Sequence, residues 1–138
     1  MVDPWKIYDP DAPPYANDLT SMDVQHGYWI QATGTVTLTV AGALPGTTTI
    51  TLCVGGTSPS EDWNLIGYQS AAAAALPDAL AGIAGKYDLV YAYDAADTAD
   101  PWKKFGPNAP PFVNDLAELG PGKGYWIHMI EAATLVIN

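Results

Sequence analysis

The chain has 138 residues, 49% of them apolar and 11% aromatic, which suits one compact domain or two very small ones with a real core. Fifteen acidic residues against five basic ones give a formal net charge of −10. That sign repels phosphate backbones and anionic membrane surfaces, so nucleic-acid binding is set aside. No stretch of the sequence is long enough to cross a bilayer, so membrane insertion is not expected.

The first strand signal is PWKIY (4–8), followed by a Pro-rich loop that contains APPYANDL (12–19). GYWIQA (27–32) and TVTLTV (35–40) come next, and ALPG reads as a turn before TTTITLCV (47–54). Alternation of threonine with branched residues suits strands with one wet face. Cys53, the one cysteine, is expected as a small buried apolar side chain, and alone it forms no intramolecular disulfide. WNLIGY (63–68) is a further strand, and the alanines at 71–75 read as a loop or separate turn. One short helix is expected over 77–84. Pro77 suits a first helical position, Asp78 the first turn, and Gly85 a stop. YDLVYAYD (87–94), PWKKF (101–105), GYWIHM (124–129) and ATLVIN (133–138) complete the strands.

Several of these elements are duplicates. DPWKIYDPDAPPYANDL (3–19) lies over DPWKKFGPNAPPFVNDL (100–116), and HGYWI (26–30) over KGYWI (123–127). The match runs on, to within a residue, from TVTLTV to ATLVIN. Only the second copy is preceded by a strand–helix–strand piece, residues 63–99. The expected organisation is therefore a half module over 1–54 and a complete module over 55–138. Unpartnered strands expose edges that invite pairing. Either a strand-exchanged homodimer forms, or residues 47–54 fill the gap. The opening MVDPWK has no basic-then-apolar signal segment and starts on a repeat boundary, as a piece cut from a longer protein does.

The set WNLIGY, short helix, YDLVYAYD, DPWKKF, NDLAEL and GKGYWI resembles a small β-rich module found in tandem in secreted or cell-surface bacterial proteins. The likeness covers 63–138 as a whole module and 3–40 as a half. It implies an extracellular, modular setting and no particular activity. Asp62 stands where that family has glycine, and Gln25 and His26 replace the glycine and lysine of GKGYWI.

Comparison of the copies marks candidate site residues. Ile7 stands where Lys104 stands, so their strand face is not deep core, and alternation puts Trp5 and Trp102 on it. Tyr8 and Phe105 point the other way, inward. In GYWI, Tyr and Ile share one face and Trp29 or Trp126 the other, with the core-facing side left open. Exposed rings beside Asn and Asp suit sugars. Trp5, Tyr8, Tyr15, Asn17 and Asp18, with Trp102, Phe105, Phe112, Asn114 and Asp115, could build two carbohydrate sites. The competing reading makes Asn-Asp a turn-forming pair and the rings loop packing, and it is preferred.

Asp94, Asp97 and Asp100, and also Asp9 and Asp11, are the candidate calcium ligands. Neither stretch meets the EF-hand pattern, so no cofactor is expected. His26 and His128 occupy unmatched positions without a repeated nucleophile or metal-ligand partner. The expectation is a mainly β protein, barrel-like or sandwich-like, with one short helix. It serves as a non-catalytic extracellular structural or adhesion module whose partners are other modules of a parent protein or cell-surface glycans. Carbohydrate binding is the alternative, and glycoside hydrolysis by an acid pair a distant one.

Overall fold

The structure, a computed structural model, describes residues 5–55 and 62–138. Pro4, where the first expected strand begins, lies outside the described residues, as do 1–3 and 56–61 of the two expected modules. Eight strands form among the described residues: β1 (Thr48–Leu52), β2 (Trp63–Gly67), β3 (Ala74–Ala75), β4 (Tyr87–Tyr93), β5 (Trp102–Phe105), β6 (Glu118–Leu119), β7 (Gly124–Met129) and β8 (Ala133–Ile137). They make a four-stranded sheet in the order β2-β7-β4-β5 and two pairs, β1-β8 and β3-β6. All pairings are antiparallel and no barrel closes among them. The protein is mainly β and sandwich-like.

Strand alternation decides which face is core. In β7, Tyr125, Ile127 and Met129 are buried while Trp126 and His128 point outward. β4 carries a bulge between Tyr87 and Leu89. The extra residue, Asp88, lets both Tyr87 and Val90 face inward. Ile50 and Leu52 of β1 and Leu135 and Ile137 of β8 join Ile66, Leu80, Ile83 and Leu119 in one buried cluster. Each fully buried aliphatic side chain contributes about 1.5–3 kcal/mol relative to exposure.

Several expectations need correction. The short helix expected over 77–84 is present as a 3-10 segment, Asp78–Ile83, interrupted by non-helical dihedrals at Leu80. Two tight turns suffice to drop Leu80 and Ile83 into the core. The alanine run is not all loop, because Ala74 and Ala75 pair with Leu119 and Glu118. Cys53 is exposed. Thr48, Ile50 and Leu52 take the inward positions of β1, and the next residue faces out. Residues 27–32 and 35–40 form no strand, and Tyr8 is exposed rather than inward. Their counterparts are held by β1, β2 and β4, and these strands are already engaged with the second copy. The segment 47–54 contributes β1, which lies against β8 and not beside residues 35–40.

Candidate functional site

The recurring octapeptide is a rigid corner, built twice with the same bonds. A 3-10 turn, Pro14–Ala16, has its twin in Pro111–Val113. Asn17 Oδ1 accepts from the Asp9 N–H at 2.8 Å, and its amide donates to the Asp9 carbonyl at 3.0 Å. Asn114 does the same to Gly106, at 2.9 and 3.2 Å. Asp18 Oδ1 accepts from the Ile7 N–H at 2.7 Å, and Asp115 Oδ1 from the Lys104 N–H at 2.6 Å. A third pair follows downstream: Tyr28 Oη accepts from the Asp23 N–H at 2.8 Å, Tyr125 Oη from the Gly120 N–H at 2.7 Å. All four Asn and Asp side chains thus bond backbone groups of their own copy, and Asp18 also takes the Lys6 ammonium on its second oxygen.

One turn differs between the copies. Gly122 has φ +75°, a left-handed conformation that glycine takes readily. Gln25, its counterpart, has no positive φ. There the Asp23 carboxylate holds the turn, accepting from the N–H groups of Gln25 and His26 at 2.9 and 3.1 Å. His26 Nδ1 lies 2.8 Å from the same carboxylate.

The remaining sequence candidates scatter. Phe105 is buried, while Tyr15 and Phe112 stand exposed at the tips of their 3-10 turns. Asp94 and Asp97 accept from backbone N–H groups two and three residues on. Lys103 Nζ sits 2.7 Å from Asp97 Oδ2 and 3.7 Å from Asp100. The Lys103 bond, then the Asp100 N–H, hold the Asp97 carboxyl below its ordinary value, and Asp97 in turn raises Lys103. Asp18 is lowered by the Ile7 N–H and then by Lys6, 3.1 Å away. Among the described residues no group of three or more His, Cys, Asp or Glu is placed to hold a metal.

Trp5 and Trp102 belong to a larger constellation on the outer face of the four-stranded sheet. Trp63 lies 5.7 Å from Tyr91 and 4.9 Å from the His128 ring, whose Nδ1 is 2.6 Å from Asp88. Tyr91 and Tyr93 meet Trp102 edge-on at 6.1 and 5.0 Å. Residues of the first copy then come down on this face. Trp5 packs at 5.5 Å from Trp126, and Trp29 at 5.7 Å from Trp102 and 4.8 Å from Tyr93. All five tryptophans of the chain take part.

The cross-contacts are reciprocal. Trp5 is the counterpart of Trp102, and Trp29 of Trp126. Each copy therefore sets its PWK tryptophan against the other's GYWI tryptophan, the mark of a pseudo-twofold contact. Two hydrogen bonds between backbones fasten it beside β2, Gly27 N–H to Leu65 O and Gly67 N–H to Gln25 O, both 3.1 Å. The approach requires glycine at both places. A Cβ at Gly67 would fall 2.7 Å from the Val24 carbonyl oxygen, and one at Gly27 2.8 Å from that of Ile66. An open cleft of about 2320 Å³ lies between the copies, with Trp5, Trp29, Trp63 and Trp126 among its walls.

Sequence reasoning missed Trp63, Tyr91, Tyr93 and the Asp88–His128 pair as members of this face. Alternation in YDLVYAY and GYWIHM carries the signal, once the core side is known. Compared with protein-family models, curated proteins and solved structures, the chain gives no match. Among the described residues no helix is long and apolar enough to cross a membrane.

Proposed function

We propose that the chain is a non-catalytic structural or adhesion repeat module of an extracellular or cell-surface protein, of the tandem kind its WNLIGY and GKGYWI motifs resemble. The observation that carries this reading is the duplicated corner. Its Asn and Asp side chains clamp their own backbone with the same bonds in both copies, as parts of a scaffold do. The reciprocal tryptophan packing adds a way for such units to hold one another. Titration with a panel of plant, bacterial and animal oligosaccharides, read by tryptophan fluorescence, tests it. No shift with any glycan is expected, and a saturable shift abolished by Trp102→Ala would overturn it.

A second reading, carbohydrate binding, is favoured by the open cleft walled by Trp5, Trp29, Trp63 and Trp126. Indole faces there suit the apolar faces of pyranose rings. The same titration separates the two, because a sugar seated on those indole faces changes their fluorescence.

A further inference from the structure

The two copies share a sequence pattern but not a burial pattern. Leu135 and Ile137 are 1% and 5% exposed, while their counterparts Leu38 and Val40 are 66% and 82% exposed. Ile127 is 0% exposed and Ile30 is 60%. Phe105 and Leu119 are buried, whereas Tyr8 and Met22 line an open groove of about 760 Å³ together with Leu19. The second copy shows what covers these positions. β7 lies between β2 and β4, β5 lies beside β4, and β8 lies beside β1, with Leu80 and Ile83 closing the same core. Every one of those covering elements comes from residues 48–93.

We infer that residues 5–40 form the back half of a second module, and that a second copy of residues 48–93 docks on them to complete it. The corner is already set, since its turn and its clamps match the completed copy to within a few tenths of an ångström. The outward face is also set, because Trp5 and Trp29 pack as an outer face packs, against Trp126 and Trp102. What is open is the inward face of Tyr8, Ile30, Leu38 and Val40, together with the backbone beyond Gly27. The occupant has to bring branched inward residues on three strands and a compact turn between them. In this chain that pattern is Ile50 and Leu52, Ile66, Leu80 and Ile83, and Val90. The chain's own 48–93 is committed to 100–138, so the occupant is an additional copy of that segment. This deepens the repeat-module reading and rests on it.

The test is a fusion of a second copy of residues 47–99 directly ahead of Asp3. Asp3 aligns with Asp100, so the fusion recreates the natural junction. Amide exchange at 28–30 and 36–40 is expected to slow roughly tenfold or more, approaching that at 125–127 and 133–137. Leu38→Asp with Val40→Asp should cancel that protection and leave 133–137 protected. Unchanged exchange at 28–40, with 133–137 still protected, would overturn the inference while leaving the glycan titration as the separate test of the module reading. If the fusion aggregates, a tagged polypeptide of residues 47–99 co-expressed with the full chain replaces it. Its capture should be lost in the Leu38→Asp, Val40→Asp variant. Absence of capture, or capture indifferent to that variant, would overturn the inference equally.

Discussion

The indole of Trp29 lies stacked on that of Trp102, with centroids 5.7 Å apart and planes 15° from parallel. A contact of this kind contributes about 0.5–1.5 kcal/mol beyond the area it buries. A double-mutant cycle of Trp29→Ala and Trp102→Ala, read by urea unfolding, should return a coupling of about that size. The cycle of Trp29→Ala with Trp63→Ala, rings that make no direct contact here, should return close to none.

Equivalent substitutions in the two copies should have unequal costs. Ile127→Ala removes a fully buried side chain from β7 and should destabilise the protein by about 2–5 kcal/mol. Ile30→Ala, at the same motif position, touches an exposed residue and should stay within about 0.5 kcal/mol. Denaturant midpoints of the two variants decide the matter.

The corner clamps divide the same way. Asn114→Ala leaves the Gly106 N–H without its acceptor beside β5, at a cost of about 1–3 kcal/mol. Asn17→Ala should loosen residues 9–17 without moving the global transition. Amide exchange at Asp9 would rise while the urea midpoint holds.

How much of this was legible in the sequence follows from where the information lies. Tyr125, Trp126 and Ile127 alternate cleanly, so a strand was visible, and its core side needed only a partner to choose it. The same letters at Tyr28, Trp29 and Ile30 predicted a strand that does not form. A strand is a relation between segments. β4 has both edges taken by β5 and β7 of the second copy, and the edge of β2 that β7 leaves open reaches the first copy only at residues 25–27. The turn chemistry of Asn114 and Asp115 was readable because its partners are local. The aromatic face was not, because Trp63, Tyr91 and Trp126 are brought together only by the sheet order.

Acid should weaken the links to Asp97 and Asp18. Both carboxyls are held below the ordinary 3.8, so their contribution is present above that value and is lost as pH falls through the lower folded value. Lys103, raised above 10.5, contributes below that value and loses its effect as pH climbs through the folded one. Stability measured from pH 6 to pH 2 should fall below about pH 4, and Asp97→Asn should flatten that fall. An unchanged acid limb in Asp97→Asn would refute the assignment.

Cys53 is exposed, and its backbone is gripped from both sides by the Asn64 amide, at 3.0 and 2.9 Å. A thiol reagent should modify it fully in the native protein, at a rate within roughly tenfold of that in urea. Modification should leave the fold intact, since the side chain points away from the core that Leu52 enters.

The ladder of β1 and β8 places Thr48 opposite Ile137, and a bond from Thr47 Oγ1 to Asn138 Oδ1 closes it at 3.1 Å. Thr47 and Asn138 thus stand at the same end of the pair. Tension applied between these two residues acts across the rungs at that end, so they load one after another instead of sharing the force. Pulled apart there, the pair opens like a zip from Thr47 and Asn138 inward.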